Sequence, residues 1–393
     1  MISIVITTRR YTYKLRPGKQ VEAALEMEYH RSRWVWNECV HQQRENKISS
    51  RKTLCKLLTA ARASTPWLKA GSANTQQQVI ADFCVATNAH FESKADPKPE
   101  LPTFKTKKSH PNPSLNYTKN GFSIKDGRLS LAKMPFAIPV VWSRALPSQP
   151  KSVRVYRDAV GDWWASFVVK VEDTPKIREN DLSVGIDPGI SVTMTTSHDD
   201  TKFDLEYADQ VRTHARNTAK YQRRMAKHKE KQQWDNYRKA KRLKAKEERK
   251  ARRVRQERSR KWAQRIAKHH AHIAVEDFKP KFMFKSTLAR KAADASCGAL
   301  LRELEIQAHK YNCELVKVNP AYTTQECHIC HARTKQQMTL AQRTYECWNC
   351  GQTSDRDKNA AKVILSRAGF NPACEKENIP MKMGTPLHGI PQL

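Results

Sequence analysis

The sequence lacks the long apolar segments and the leader that would direct it to a membrane. None of its 393 residues lies in an apolar run approaching the ~18 residues that a spanning helix needs. Its first residues alternate Ile, Val and Thr with Arg, whereas a signal peptide shows a charged, an apolar and a cleavable region in turn. We therefore expect a cytoplasmic protein.

Acidic residues are also few in comparison with basic ones. Lys and Arg number 72 against 39 Asp and Glu, which leaves a formal net charge of +33. Because such an excess repels itself in a compact chain, the natural interpretation is a polyanionic partner. Without an apolar anchor for a membrane surface, nucleic acid is the favoured polyanion, and we expect association with the bacterial nucleoid.

The cysteines do not form the framework of a disulfide-stabilised protein. Four of the ten lie in two Cys-x-x-Cys pairs, Cys327/Cys330 and Cys347/Cys350. Disulfides are not expected in so large and lysine-rich a chain, which indicates a reducing compartment. Most of the others are predicted to be small buried hydrophobic residues. They are Cys39, Cys55, Cys84, Cys297, Cys313 and Cys374.

The first half of the chain changes from a strand pattern to a helix pattern and back. Residues 2–15 alternate like a strand, whereas residues 20–92 carry the apolar spacing of several helices. The chain then becomes rich in Pro, Lys and Ser, and short strands with turn signals follow. These patterns predict one small β-barrel built from residues 1–15 and 100–172, with the helices inserted into it.

The second half has the pattern of an α/β domain. Apolar strands are predicted within residues 182–194, 272–278 and 313–318. A long polar helical region is predicted at 205–270, where 22 Lys and Arg stand against five Asp and Glu between Val211 and Lys261. Pairing along the helix cannot neutralise that imbalance, so we expect this region to contact nucleic acid.

Two more helices are predicted near the end of the chain. They cover residues 286–311 and 356–368, and the second follows the last cysteine pair almost directly. Beyond them the sequence is dotted with Pro and has no periodicity, so we expect a disordered tail over 370–393.

The two cysteine pairs have the spacing of a zinc site. Sixteen residues separate Cys330 from Cys347, and each pair presents two sulfurs from one tight turn. Four thiolates complete the tetrahedron of Zn²⁺ and leave no open position, so the site is predicted to be structural rather than catalytic. His328 and His331 are alternative ligands, but the paired spacing favours the four cysteines.

Three acidic residues stand where a second metal site could form. Asp187 ends one apolar strand, Glu276 ends another, and Asp357 begins the last helix. Carboxylate oxygens suit Mg²⁺, and acids on two strands and a following helix match a two-metal phosphodiesterase site. Taken singly, Asp187 and Asp357 could instead be turn or helix-cap residues, and Glu276 could be a charge at a strand edge.

Two neighbouring acids are given other roles. Asp277 follows Glu276 along a strand, so the two side chains are expected to face opposite sides. Asp355 and Asp357 cannot share one helix face, and the small residues after Asp357 allow close approach to a sheet. We therefore predict Asp357 as the third metal ligand and Asp355 as the helix cap.

With these residues in hand, the chain resembles the transposon-encoded TnpB nucleases, relatives of the compact type V CRISPR effectors. The most specific motifs are Gly185-Ile-Asp-Pro-Gly, Val275-Glu-Asp, the two Cys-x-x-Cys pairs and Asp355-Arg-Asp-Lys-Asn-Ala-Ala. Weaker motifs extend the resemblance over most of the chain. They are Tyr13-Lys-Leu-Arg-Pro, Trp34–Asn37, Leu101-Pro-Thr-Phe-Lys, Asp126-Gly-Arg-Leu and Trp164–Val169.

The resemblance assigns the family's catalytic acids to Asp187, Glu276 and Asp357. One departure lies in the first cysteine pair, where His328 and His331 replace the small residue and the Gly that relatives usually have. The change leaves the four thiolates in place.

The resemblance also implies the fold and its boundaries. It implies a wedge-type β-barrel that carries a helical recognition insertion, followed by an RNase H-like RuvC domain with an inserted four-cysteine zinc ribbon. The implied ranges are 1–18 and 96–180 for the barrel, 19–95 for the helical domain, 181–319 for the RuvC domain, 320–354 for the ribbon, 355–369 for the last RuvC helix and 370–393 for the tail.

The implied function is RNA-guided cleavage of double-stranded DNA. A guide RNA from the transposon end would pair with one strand, the protein would read a short target-adjacent motif, and one RuvC site would cut both strands. The implied cofactors are two Mg²⁺ and one Zn²⁺, and the implied partners of the monomeric protein are guide RNA and target DNA. Two alternatives stay open, namely an RNA-guided DNA-binding repressor without cleavage and a guide-free RuvC-type nuclease or resolvase.

Overall fold

In the computed structural model the chain divides into two units, one ending at Asp173 and the other beginning at residue 174. The structure describes residues 5–94, 98–173, 176–189, 192–198, 203, 209–277, 297–334, 338 and 342–370. Each unit combines helices with a sheet, which agrees with the coarse α/β class, whereas the RNase H-like assignment stays a prediction. The predicted disordered tail lies almost entirely outside the described residues.

The first unit is built on a seven-stranded antiparallel sheet in the order β2-β6-β7-β1-β5-β4-β3. Its strands are β1 (Val5–Leu15), β2 (Ser114–Thr118), β3 (Phe122–Lys125), β4 (Arg128–Leu131), β5 (Ile138–Val141), β6 (Ser152–Arg157) and β7 (Trp163–Asp173). The two outermost strands, β2 and β3, are joined by only three residues, Lys119–Gly121. Because three residues cannot span an open seven-stranded sheet, the sheet must curl until its edges approach, which gives a nearly closed β-barrel.

Alternate residues of the strands form the core of this barrel. Leu115 and Tyr117 of β2 are buried, as are Val153 and Val155 of β6, and each pair is two residues apart. This period is the one that a strand with one buried face must have. The predicted small β-barrel is therefore confirmed.

Four helices follow β1 and precede β2 in the chain. They are α1 (Lys19–Glu45), α2 (Arg51–Ser64), α3 (Pro66–Lys69) and α4 (Ala73–Glu92). Their apolar faces form a second core that contains Leu68, Ile80 and Phe83. Trp36 of α1 packs edge-on against Phe83, with the ring centroids 5.6 Å apart. The helical insertion thus has a hydrophobic core of its own.

The second unit contains a four-stranded sheet in the order β11-β10-β8-β9. Its strands are β8 (Leu182–Pro188), β9 (Met194–Thr196), β10 (His270–Glu276) and β11 (Glu314–Val318). β8, β10 and β11 run parallel, and β9 pairs antiparallel with β8. Parallel neighbours need long crossovers, and helices occupy them here. These helices are α5 (Asp209–Glu230) and α6 (Trp234–His269) before β10, and α7 (Cys297–Lys310) before β11.

The predicted polar helical region at 205–270 consists of two helices. The chain turns at 231–233, where Gln232 has a φ of 54°. Neither Pro nor Gly marks this turn, which is why the sequence pattern did not reveal it. The predicted helix at 286–311 is described from Cys297 onward as α7, and its first part lies outside the described residues.

Of the cysteines outside the two pairs, the predicted burial is confirmed for only two of the five that the structure describes. Cys39 and Cys297 are buried and Cys55, Cys84 and Cys313 are half-buried, while Cys374 lies outside the described residues. Burial raises the pKa of the Cys39 thiol to about 12. In the described part of the chain, no helix carries an apolar stretch long enough to cross a membrane.

Candidate functional site

Two of the three predicted acids lie side by side at one edge of the four-stranded sheet. Asp187 is the next-to-last residue of β8, and Glu276 is the last residue of β10. The two strands are parallel and pair Ile186 with Val275. Asp187 and Glu276 are the next residues along the two strands, so they lie beside each other. The carboxyl ends of parallel strands are where α/β folds commonly bind ligands.

The buried carboxyl group of Asp187 lies against the half-buried Glu276. Asp187 is 8% exposed, and its side chain is hydrogen-bonded to that of Glu276. Burial, followed by the charges of Glu276 and Asp357, raises the pKa of Asp187 well above its ordinary value. Burial also raises the pKa of Glu276, although hydrogen bonds with Asp187 and Thr323 oppose the shift. Without a cation, the pair is therefore expected to share a proton.

Asp357 approaches the same place from the last helix, α8 (Arg356–Arg367). Asp355 caps this helix as predicted, because its side chain accepts a hydrogen bond from the backbone N–H of Lys358 at 2.9 Å. Asp357 lies in the first turn and is held by two arginines. Nε and Nη2 of Arg356 donate to its Oδ1 at 3.0 and 2.8 Å, and Nη1 of Arg343 lies 3.3 Å from its Oδ2.

Asp187 and Glu276 are hydrogen-bonded, but the three carboxylates do not all lie as close to one another as the ligands of a single metal ion. Among the described residues, the four paired cysteines are the one set of three or more potential ligands whose atoms all lie within 4.8 Å of each other. The contact with Arg356 engages Oδ1 of Asp357 in an ion pair. A cation that bridged the acids would therefore have to compete with this arginine for the Asp357 oxygen.

Arg356 and Thr323 are residues of the site that the sequence interpretation missed. Arg356 is 9% exposed, and its charge opposes the rise in the pKa of Asp187. The sequence does contain a signal for Arg356. A cation in the first turn of a helix is opposed by the helix dipole and therefore needs an acidic partner. Thr323 is buried and hydrogen-bonds Glu276, but no sequence pattern distinguishes it from other turn residues.

Helix α8 can reach the acids because it packs unusually close to β8. A Cβ atom on Gly185 of β8 would lie 1.9 Å from the carbonyl oxygen of Ala361. Ala360 and Ala361 are both fully buried. The predicted close approach of small residues to the sheet is therefore observed, and Gly185 is the residue that permits it.

Replacing Gly185 with alanine is expected to push α8 away from the sheet. The obstructing atom belongs to backbone that cannot rotate aside, so we expect a loss of about 3 kcal/mol in the free energy of unfolding, with impaired activity of the site. Thermal unfolding measures the effect. The matched control is Gly298→Ala, where the nearest atom would be 3.9 Å away. Equal melting temperatures for both variants would contradict the close packing.

The four paired cysteines form a compact cluster beside a two-stranded ribbon of β12 (Thr344–Glu346) and β13 (Thr353–Asp355). The Sγ atoms of Cys327 and Cys350 are 3.7 Å apart, and those of Cys330 and Cys347 are 3.4 Å apart. A tetrahedral zinc site with Zn–S bonds of about 2.3 Å has sulfur separations of about 3.8 Å. The cluster therefore fits a structural metal such as zinc, as the spacing predicted.

The two cysteine pairs adopt the same turn. The N–H of His331 donates to the carbonyl of Cys327, and the N–H of Gly351 to that of Cys347, both at 3.0 Å. The donor residue has a positive φ in each turn, 57° for His331 and 71° for Gly351. Glycine suits this conformation and histidine does not, but Nδ1 of His331 lies 3.0 Å from Oε1 of Glu326, which helps to hold it there.

Hydrogen bonds join the cysteine cluster to α8. Oδ1 of the fully buried Asn359 accepts from the backbone N–H of His328 at 3.1 Å, and its Nδ2 donates to the carbonyl of Glu326 at 2.7 Å. Nδ1 of His328 lies 2.9 Å from the same Asn359 oxygen. Arg367, at the other end of α8, donates to Oε2 of Glu326 at 3.1 Å. The helix that bears Asp357 is thus fixed directly to the metal-binding turns.

Helices α5 and α6 pack against each other and carry the basic segment predicted to meet nucleic acid. Glu247 of α6 is the one buried acid among the described side chains of these two helices, and it lies between them. Its Oε2 is 2.7 Å from Nδ1 of His214 and accepts from Nδ2 of Asn217 at 3.3 Å. Burial alone would raise the pKa of Glu247, but these hydrogen bonds and one from Lys250 lower it. Glu247 therefore links the two basic helices through its contacts with His214 and Asn217.

Two family models match the chain. The first, described as "Probable transposase", matches residues 166–287, which contain Asp187 and Glu276. The second, described as "Cas12f1-like, TNB domain", matches residues 298–364, which contain the cysteine cluster and Asp357.

Three curated relatives are similar in sequence. A "Putative RNA-guided DNA endonuclease" of Streptomyces pristinaespiralis is 27% identical over 380 residues, which cover 93% of this chain and 90% of the relative. A "Putative RNA-guided DNA endonuclease InsQ" of Escherichia coli K12 is 25% identical over 405 residues, or 97% and 96% of the two chains. "TnpB-like protein L79" of Acanthamoeba polyphaga mimivirus is 39% identical over 94 residues, or 24% and 17%.

Two solved structures align only weakly with the chain. A Cas12f1–sgRNA–target DNA complex gives a TM-score of 0.44 at 13% identity and covers 92% of this chain and 98% of its own. A CRISPR-Cas12f ternary complex gives 0.37 at 15% identity, with 88% and 82% covered. The sequence matches alone, without these structures, confirm the predicted resemblance of the chain to the TnpB nucleases.

Proposed function

We propose that this protein is an RNA-guided, Mg²⁺-dependent DNA endonuclease whose catalytic acids are Asp187, Glu276 and Asp357. The observation that carries the proposal is the hydrogen-bonded pairing of the buried Asp187 with the half-buried Glu276 at adjacent ends of two parallel strands, where the charge of Asp357 also acts on Asp187. The two near full-length relatives bear the name of RNA-guided DNA endonucleases, which supports the same activity.

The acids fit hard divalent cations. Crowded carboxylates with raised pKa values gain from a cation that neutralises them, and their oxygens are the ligands that Mg²⁺ prefers. Two bound Mg²⁺ ions would activate a water and stabilise the leaving oxygen of the phosphodiester. Thr323 would keep Glu276 oriented, and Arg356 would hold Asp357 until the acids bind the cations. We also propose Zn²⁺ as the metal of the cysteine cluster.

The partners we propose are a guide RNA from the transposon end and double-stranded target DNA. Base pairing would read the target, while the cations of α5 and α6 would hold phosphates. We further propose that a monomer reads a short target-adjacent motif and cuts both strands at its single RuvC-type site. In this scheme the barrel is the wedge, α1–α4 are the recognition insertion, and the second unit is the RuvC domain with its ribbon.

Sequencing the copurified RNA and offering matched and unmatched duplexes with Mg²⁺ tests the proposal. Cleavage of the matched duplex alone is the expected result. Equal cleavage of both duplexes, with no copurified RNA, would favour the guide-free nuclease or resolvase. Binding of the matched duplex without cleavage would favour the repressor.

Replacing Glu247 with glutamine is expected to weaken guide-RNA binding about 10-fold, although it makes the protein more basic. The change removes the charged partner of His214 and loosens the alignment of α5 with α6, a loss of about 1–2 kcal/mol. Fluorescence anisotropy with the copurified RNA measures the affinity. Glu248→Gln is the matched control, because Glu248 is exposed and its replacement removes the same charge. Tighter binding by Glu247→Gln would show that only net charge matters.

A further inference from the structure

A cavity of about 280 Å³ in the first unit belongs to none of the sites above. It is lined by residues of α1, α4, β2 and β6 and by the segment 105–112. Its volume is near the lower end of the ~300–1,000 Å³ typical of ligand pockets, so it suits one small group or part of a chain. Cationic and aromatic side chains line it together: Tyr29, Arg33, Trp36, Lys105, His110 and Arg154.

Three cations share this cavity with one acid. Arg33, Lys105 and Arg154 are the cations, and Asp82 is the acid. Both oxygens of Asp82 already accept hydrogen bonds from side-chain amides, each at 2.9 Å. Within the part of the chain that the structure describes, none of the three cations has a carboxylate within ion-pair distance. The cavity is therefore electropositive and has the composition of an anion site.

Lys105 is held in a fixed position in this cavity. Its backbone N–H donates to Oδ1 of Asn37 at 2.7 Å, and its carbonyl accepts from Nδ2 of Asn37 at 3.1 Å. Its Nζ lies 3.2 Å from the centroid of the Trp36 ring, and the indole N–H of Trp36 donates to the carbonyl of Thr103 at 2.9 Å. The aromatic face orients the ammonium group but leaves its positive charge available to an anion.

We propose that this cavity binds one phosphodiester group of a nucleic-acid strand, with Arg33, Lys105 and Arg154 as its cations. The inference rests on the proposed function, since it requires that the protein carries a guide RNA or a target DNA. Phosphate oxygens accept several charged donors at once, and arginine in particular matches their geometry. The ring of Tyr29 offers a surface for the adjoining sugar or base, whereas a face of Trp36 is already covered by Lys105.

The surroundings of Lys105 make its charge sensitive to pH in a useful range. Burial lowers the pKa of Lys105 to about 8. Burial and neighbouring cations also lower the pKa values of His30 and His110, and burial raises that of Tyr29. Lys105 is thus the group of this set expected to change charge between about pH 7 and 9. The charged and titratable groups that line the cavity with Lys105 are Tyr29 and Arg33 of α1, Asp82 of α4, Arg154 of β6 and His110.

The test compares two substitutions of Lys105 in the full-length protein. Lys105→Met keeps the aliphatic stem on Trp36 without the charge, and Lys105→Arg keeps the charge at every pH used. The probes are single-stranded RNA and DNA of one sequence. Lys105→Met is expected to weaken binding about 10-fold and to reduce the slope of log affinity against log salt by about 1. The affinity of the wild type is expected to fall as the pH rises from about 7 to 9. The affinity of Lys105→Arg is expected to stay constant over this range, because arginine keeps its charge.

Lys108→Met is the matched control, because Lys108 is an exposed lysine of the same segment and its loss removes the same charge. It is expected to keep the pH dependence of the wild type. If Lys105→Met binds with the affinity, salt slope and pH profile of the wild type, the proposed phosphate site is wrong. The nuclease proposal would be unaffected by that result. If the wild type binds neither RNA nor DNA, both proposals fail.

The two probes also tell which strand occupies the cavity. A loss confined to RNA would support contact with the guide strand, and a loss confined to DNA would support contact with the target. Thermal unfolding checks that each variant is folded. If Lys105→Met does not fold, the comparison of Lys105→Arg with the wild type decides, since an unchanged pH dependence in Lys105→Arg would overturn the proposal.

Discussion

The Asp187→Asn variant is expected to lose DNA cleavage by roughly 10⁴-fold or more, while guide-dependent binding of the matched duplex persists. An amide cannot supply the negative charge that a divalent cation needs, and the change leaves the basic surfaces of the protein untouched. Single-turnover cleavage with Mg²⁺ and parallel binding measurements test the two halves of this expectation. Full cleavage by Asp187→Asn would show that Asp187 is not an active-site residue.

The same substitution is expected to stabilise the protein when divalent cations are removed. The pKa values of Asp187 and Glu276 are raised in the folded state, mainly by burial. Carboxyl groups with raised pKa values contribute stability below their ordinary pKa and lose it as the pH rises through the raised value. The cation-free wild type should therefore melt at lower temperature as the pH rises from about 4 toward neutrality, and Asp187→Asn should show a flatter profile.

The matched control for both experiments is Asp277→Asn, which changes the acid next to Glu276. Asp277 is not among the charges that shift the pKa of Asp187, whereas it contributes to the raised pKa of Lys317, behind the larger effect of Glu305. We expect cleavage and pH-dependent stability close to those of the wild type. A severe loss of cleavage in this variant would mean that the catalytic acid of β10 has been assigned to the wrong neighbour.

The Cys347→Ser variant is expected to lose its bound metal and much of the stability of the second unit. In ribbons of this kind metal binding supplies folding free energy, with apparent values of about 10–16 kcal/mol for structural zinc. Because Asn359 and Arg367 fix α8 to the turns around the cluster, the loss should also displace Asp357 and reduce cleavage. Metal content, thermal unfolding and cleavage rate are the measurements.

Cys55→Ser is the control for this prediction, since Cys55 is a half-buried cysteine of α2 in the other unit. It should keep one zinc per chain and the melting profile of the wild type. Retained zinc and an unchanged profile in Cys347→Ser would contradict the four-cysteine site. Lost zinc with unchanged cleavage would instead show that the ribbon does not position Asp357.

The arrangement of the acids could be predicted from sequence because it depends on local patterns. Asp187 and Glu276 each end an apolar strand, and parallel neighbours in an α/β sheet bring such ends together. Asp355 could be recognised as a cap because the capping contact spans only three residues. Gly185, in contrast, packs against a residue far along the chain, so no local pattern could show why it must be glycine.

The parts that escaped prediction depend on contacts between distant segments. Whether Arg343 reaches Asp357, or Asn359 reaches the turn at His328, depends on how the ribbon sits on α8. The turn at Gln232 contains neither Pro nor Gly, so no local sequence signal marks the end of α5 there. The resemblance predicts which acids act, but only the structure reveals the arginine contact on Asp357.

The place of β1 in the barrel bears on how the chain folds during synthesis. β1 lies between β5 and β7 and pairs with β7 over its whole length, from Val5 opposite Asp173 to Leu15 opposite Trp163. Its partner is therefore made roughly 8–30 s later, at 5–20 residues per second. Helices α1–α4 emerge in that interval and carry a core of their own. We expect the helical insertion to fold first on the ribosome. The barrel cannot complete its longest strand pair, β1 with β7, until β7 has been synthesised.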